Sequence, residues 1–137
     1  LNRTKYSCQF DKNHHIEPAD EDDGKPSFGR YLNHSCEPNV AIRIITKDNG
    51  GHIEVFALSN IETDQEIRVD YATMEYETTV DQQPCQCTSS QCRQFIYGYK
   101  HLLPEKKAEF RSKGLIPAHL LEQDTENVIR AQEKDSN

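Results

Sequence analysis

Apolar and polar side chains alternate at the start of the chain. Tyr6, Cys8 and Phe10 are separated by Ser7 and Gln9, a period of two that predicts a strand over residues 4–10. Residues 11–28 break this pattern. They are rich in Asp, Glu, His, Gly and Pro, which predicts a loop whose most acidic stretch is residues 20–23. Apolar residues return at 40–46 (VAIRIIT) and at 52–58 (HIEVFAL), each run having the length of a strand. Asp48-Asn49-Gly50-Gly51 lies between them. Asn-Gly tolerates the positive φ angles of a tight turn, so the two strands are expected to pair as an antiparallel hairpin. Residues 66–71 (EIRVDY) predict a short fourth strand.

Beyond Cys92 the period lengthens. Pro104 stands where a first helical turn begins, and Gly114 where a helix stops. A second helix is expected from Pro117, with Leu120, Leu121 and Val128 on or near one face. The polar tail from Gln132 is expected to fray. No internal repeat is visible.

The chain has 137 residues, enough for one domain. Apolar residues make up 34% and charged residues 28%, which is lean for a self-sufficient core. The apolar residues are clustered, so a globular class is expected, with disorder only at the ends and in the acidic loop. A net charge of −7 argues against direct nucleic-acid binding, because neutralising phosphates takes clustered Lys and Arg. It suits a basic protein or peptide partner; equally, acidity keeps a protein soluble. No apolar run approaches the roughly 20 residues of a membrane span, and no signal peptide is visible. The only Met is Met74 and the chain opens at Leu1, which leads to the expectation that the sequence is a piece of a longer product.

The five cysteines are Cys8, Cys36, Cys85, Cys87 and Cys92. An odd count without a secretory signal points away from a disulfide framework and toward a reducing, intracellular compartment. Cys85-Gln-Cys87-Thr-Ser-Ser-Gln-Cys92 is a C-x-C-x4-C arrangement. Three thiols this close can converge on one centre, and zinc takes four such ligands in a tetrahedron. The fourth is Cys36, in a polar loop, or Cys8, which sits in an alternating strand and reads more simply as a small buried hydrophobe. Spacing leaves both open.

Residues 30–39 run Arg-Tyr-Leu-Asn-His-Ser-Cys-Glu-Pro-Asn, which resembles the R-F-I-N-H-S-C-x-P-N signature of SET-domain protein lysine methyltransferases. Glu66-Ile-Arg-Val-Asp-Tyr71 resembles that family's E-L-T-x-D-Y element, and the C-x-C-x4-C its post-SET motif. Gly98-Tyr-Lys-His-Leu102 is similar to a G-x-K-H-L element found in some members.

The resemblance implies a mainly β fold, the β-clip-like SET fold with a pseudoknot, joined to a zinc-bound post-SET loop and C-terminal α-helices. Residues 1–80 would be the C-terminal part of the SET domain, 81–103 the post-SET zinc segment and 104–137 a helical extension. It also implies the choice of Cys36, with Cys85, Cys87 and Cys92, as ligands of one structural Zn2+. The implied reaction is methyl transfer from S-adenosyl-L-methionine to the ε-amine of a protein lysine, histone tails being known targets of the family. Tyr71 would be the catalytic tyrosine, orienting groups and stabilising charge. Asn33 and His34 would bind the cofactor, the latter through its backbone, with Tyr71, Arg30 and Gln86 beside them. Asp70 is expected to brace the last strand. Nucleus or cytoplasm would be the compartment.

Two departures from the family pattern stand out. No G-x-G cofactor loop precedes Asn33, so the front part of such a domain is not expected in this chain. Val69 stands where many members carry Phe or Tyr. The alternative function is a catalytically inactive, zinc-stabilised, SET-derived interaction module, which the missing G-x-G loop favours.

Overall fold

The computed structural model describes residues 7–17, 27–48, 50–78 and 83–136. Strand β1 is Cys8–Gln9 and β2 is His15–Ile16, paired antiparallel. The expected strand over 4–10 is thus shorter within its described part, and residues 4–6, with Tyr6, lie outside the described residues. Gln9 also departs from the expected alternation. It is buried because its side chain is used at both ends: the amide nitrogen donates to Gln123 Oε1 at 2.7 Å, and Oε1 accepts from the Tyr76 amide at 3.0 Å. The stretch expected as loop over 11–28 contains β2. Residues 20–23 lie outside the described residues.

β3 is Asn33–His34, β4 is Val40–Lys47 and β5 is Gly50–Ala57. β4 and β5 form the antiparallel hairpin that the sequence predicts, in register from Val40 opposite Ala57 to Lys47 opposite Gly50. Asn49 lies outside the described residues. Gly50 has φ 127°, a conformation that L side chains rarely adopt, which is why glycine serves at the turn. The start of β4 is apolar without alternation because both its faces are covered. Val40 and Ile42 pack with Cys8 and Val69, whereas Ala41 packs with Ala72, Tyr76 and Tyr99.

β6 is Arg68–Val69, shorter than the strand expected over 66–71. The chain leaves extended geometry after Asp70, whose side chain accepts from the Ala72 amide and caps a 3-10 turn, Tyr71–Thr73. Tyr71 therefore sits on a turn and not on a strand. β6 pairs parallel with β3, Asn33 opposite Arg68 and His34 opposite Val69. β7, Gln83–Pro84, pairs antiparallel with β8, Phe95–Ile96, and the two flank the cysteine-rich loop.

Helix α1 is Pro104–Ser112, with proline at its N-terminal end, and Gly114 follows at φ 65°. Helix α2 is Ala118–Asp135. It continues past Gln132, where fraying was expected; three full turns of amphipathic helix precede that point, so each added residue gains a hydrogen bond at little extra cost. Leu120 is fully buried on this helix, but Val128 is 52% exposed and does not continue its buried face. Phe110, Leu115, Ile116 and Leu120 share a core with Ala72, Tyr76, Tyr99 and Leu102. Asn127 and Asp124 of α2 both bond the Tyr76 hydroxyl. No described helix is long and apolar enough to cross a membrane.

At Gly98 two backbone segments of this core approach closely. A Cβ there would stand 2.4 Å from the Tyr76 carbonyl oxygen. The amides of Tyr99 and Lys100 bond the carbonyls of Glu75 and Tyr76, so the contact has no room to open. Gly98→Ala is expected to cost about 1–3 kcal/mol, read as a lower denaturant midpoint at an unchanged m-value.

Candidate active site and metal centre

The parallel pairing of β3 with β6 brings together residues more than thirty positions apart. Ser35 extends it by donating its amide to the Val69 carbonyl at 3.0 Å. Asn39 completes the joint, since its side-chain amide donates to the Glu66 carbonyl and its Oδ1 accepts from the Arg68 amide. His34, Cys36 and Tyr71 are thereby brought into contact with one another, while the neighbouring Asn33 side chain turns outward to Glu66.

Tyr71 is held at both ends by the segment before it in space. Its hydroxyl donates to the Leu32 carbonyl at 2.7 Å, and its amide donates to His34 Nδ1 at 3.1 Å. Burial raises its phenol above the ordinary range, so it remains protonated at neutral pH. The His34 imidazole is buried, and burial lowers its pKa; the Asp70 carboxylate opposes that shift and the Arg93 charge adds to it. Asn33 is exposed, and its Nδ2 donates to Glu66 Oε1 at 2.7 Å. That bond, with those from Arg68, holds the Glu66 carboxyl below its usual range. Arg30 is half-buried in the 3-10 turn Phe28–Tyr31, and Gln86 is exposed between two of the clustered cysteines.

The sulfurs of Cys36, Cys85, Cys87 and Cys92 all lie within 4.8 Å of one another, and Cys36 and Cys85 are 3.8 Å apart. Zn–S bonds of about 2.3 Å in a tetrahedron require sulfurs roughly 3.8 Å apart, so the four residues fit a zinc ion. Backbone amides complete the fit, because a thiolate accepts hydrogen bonds that a thiol takes only weakly. The Arg93 amide points at Cys36 Sγ and the Gln94 amide at Cys92 Sγ, each at 3.4 Å. Cys8 is not in this group; it is buried with Val40, Ile42 and Val69, where burial and nearby Glu75 push its thiol up to about 12. His14 and His15 are not in it either, and they face Asp11 and Glu75.

The thiols differ in how readily they lose protons. Burial pushes Cys36 up to about 12, against the pull of the Arg93 amide and charge, and burial also raises Cys85. Cys87 is brought down to about 6: burial opposes ionisation, but the amides of Cys36 and Ser89 and the neighbouring thiols outweigh it.

Arg93 was not singled out by the sequence, although a cation immediately after Cys92 is a usable signal. Its Nη1 and Nη2 grip Asp70 Oδ2 and Oδ1 at 2.7 and 2.8 Å, and the Asp70 side chain is fully buried. Burial works against the guanidinium charge, but the paired carboxylate more than offsets it and raises the Arg93 pKa. Asp70 therefore braces more than its own strand: it ties the cysteine loop to the turn carrying Tyr71. Arg93→Lys is expected to cost about 1–2 kcal/mol, because an ammonium keeps the charge but loses the two-pronged fit. Thermal unfolding of the zinc-loaded chain measures this.

The family model described as SET domain matches residues 2–72. The histone-lysine N-methyltransferase, H3 lysine-4 specific, of Emericella nidulans is 38% identical over 69 residues, 50% of this chain and 6% of that protein. Human histone-lysine N-methyltransferase 2B is 39% identical over 67 residues, 49% of this chain and 2% of that protein. The crystal structure of KRYPTONITE in complex with mCHH DNA, H3(1-15) peptide and SAH has a TM-score of 0.54 and 26% identity, covering 70% of this chain and 22% of that one. The chain thus spans only a small part of the relatives it matches. The match of the family model takes in just over half of the 137 residues, including the segment in which Asn33, His34, Cys36 and Tyr71 converge, and the chain belongs to the SET-domain family.

Proposed function

We propose that this chain carries the catalytic tyrosine and the metal-bound part of a protein lysine methyltransferase. The observation that carries this reading is the convergence of Asn33, His34 and Tyr71 at the β3–β6 pairing, directly against the four-cysteine centre. S-adenosyl-L-methionine would supply an activated methyl group. Asn33 and the His34 main chain would bind it, with Tyr71 and, at the periphery, Arg30 and Gln86. Cys36, Cys85, Cys87 and Cys92 would hold one zinc, structural because four thiolates leave no position for water.

The remaining work falls to Tyr71. Its hydroxyl is fixed by Leu32, so it presents its oxygen in one orientation to an incoming amine and to developing charge. A protonated phenol cannot act as the base that removes a lysine proton, so the amine must arrive neutral or lose its proton to solvent. The substrate class is a basic protein tail. The name of the Emericella nidulans relative specifies histone H3, and the −7 charge of this chain would attract such a tail. A histone target would place the protein in the nucleus.

Titration of the zinc-loaded chain with S-adenosyl-L-methionine, followed by transfer of a labelled methyl group to histone H3, tests this. One cofactor site per chain and label on lysine are expected. Zinc binding without either would leave the interaction-module reading standing.

A further inference from the structure

We propose that the His34 imidazole is a positioning residue that couples the metal centre to Tyr71. The inference rests on the methyltransferase reading above for its effect on rate, but not for its structural content.

The ring is enclosed, with its side chain 2% exposed, and each nitrogen has a different task. Nδ1 accepts from the Tyr71 amide at 3.1 Å. An imidazole nitrogen that accepts carries no hydrogen, so the neutral ring carries its proton on Nε2. Nε2 stands 3.3 Å from Cys36 Sγ and is therefore the donor in that contact. The ring also packs on Tyr71 itself, with centroids 5.3 Å apart and a tilt of 55°.

The coupling follows from the chemistry of sulfur. As a thiol, Cys36 accepts a hydrogen bond weakly and can rotate its own S–H. As a metal-bound thiolate it is a fixed anion and a strong acceptor. Metal binding would then tighten Nε2–H···S, fix the ring and present Nδ1 squarely to Tyr71. Tyr71 opens the 3-10 turn Tyr71–Thr73, and its amide is one of the first-turn donors that helical geometry leaves without an internal partner. His34 supplies that partner, while the neighbouring Leu32 carbonyl receives the hydroxyl of the same tyrosine. Loss of metal would loosen Tyr71 although the metal never touches it.

Two substitutions divide the two contacts. In His34→Asn, the amide oxygen can take the place of Nδ1 but nothing reaches Cys36. In His34→Gln, the amide nitrogen can take the place of Nε2 but the acceptor for Tyr71 is lost. Nitrogen-15 NMR of the zinc-loaded wild-type protein should show the Nε2–H tautomer at His34, and zinc loading should shift the Tyr71 amide resonance. His34→Asn should abolish that zinc-dependent shift and weaken zinc retention about tenfold. His34→Gln should retain zinc within a few-fold of wild type and still lower kcat about tenfold, with KM for the cofactor nearly unchanged. A proton found on Nδ1, or a Tyr71 amide insensitive to zinc in the wild-type protein, overturns the proposal. Both readouts need neither activity nor a folded variant. A wild-type protein with the expected spectra but no methyl transfer would overturn the functional reading and leave the coupling intact.

Discussion

Between roughly pH 7.5 and pH 6, the apparent zinc affinity of this chain is expected to fall by at least about 10³-fold. Zinc binds thiolates, so every thiol still protonated in the free protein must release a proton as the metal enters. Cys36, pushed up to about 12, and Cys85, also raised, hold their protons across this whole interval. Together they give a slope of at least two decades per pH unit. Cys87, at about 6, is largely ionised at the upper end and begins to contribute only at the lower end, which steepens the fall there. The sign is fixed: protons compete with metal, so affinity drops as pH drops. Competition against a chromophoric chelator at several pH values measures the slope. A slope near zero would show that these thiols are not the ligands. Metal removal should also lower the unfolding temperature, because a metal held by all four cysteines would add a bond between Cys36 and the β7–β8 loop to the polar contacts that the Arg93 amide makes with Cys36, the Arg93 side chain with Asp70 and Ser89 with Glu37.

The parts of this molecule that could be foreseen are those with a local signal. Residues 40–46 and 52–58 are apolar runs of strand length separated by an Asn-Gly pair, and the antiparallel β4–β5 hairpin is built from them. Pro104 and Gly114 bracket α1 as their fixed and left-handed φ angles require. The C-x-C-x4-C spacing announces a metal loop, but it could not choose between Cys8 and Cys36. That choice came from family resemblance, and the distances agree with it. Elements two residues long, such as β2 and β6, carry no periodicity and are defined only by distant partners. The same holds for Gln9, polar yet buried because Gln123 and Tyr76 satisfy it.

His34 shows the limit most clearly. The signature assigns it to the cofactor through its backbone, which leaves the ring without a stated task. The ring's task depends on Tyr71 and Cys36, one of which is 37 positions away. Arg93 is similar: its sequence neighbour Cys92 hints at a role, but only the fold delivers it to the buried Asp70 carboxylate. Both residues connect motifs that the sequence presents as separate.

Tyr71→Phe is expected to lower kcat for methyl transfer by about 10²–10³-fold, the usual effect of removing one preorganised hydrogen-bonding group at a reacting centre. The substitution removes a single oxygen. The ring contact with His34 remains available, and so does the amide bond to His34 Nδ1. What disappears is the hydroxyl that Leu32 orients at 2.7 Å. Stability should change by no more than about 1 kcal/mol, since one hydrogen bond at a half-buried site is lost. The KM for cofactor should stay close to wild type if the hydroxyl acts mainly in the transition state. Because burial keeps the phenol protonated, the wild-type rate should rise with pH as the substrate lysine loses its proton, and should show no earlier step from Tyr71 ionisation. Steady-state kinetics of both proteins on an H3 peptide, with a melting curve for each, separates the cases. Full activity in Tyr71→Phe would remove Tyr71 from the reaction. A large fall in melting temperature matching the fall in rate would make it a structural residue. A loss confined to kcat would assign the hydroxyl to the transferring methyl group.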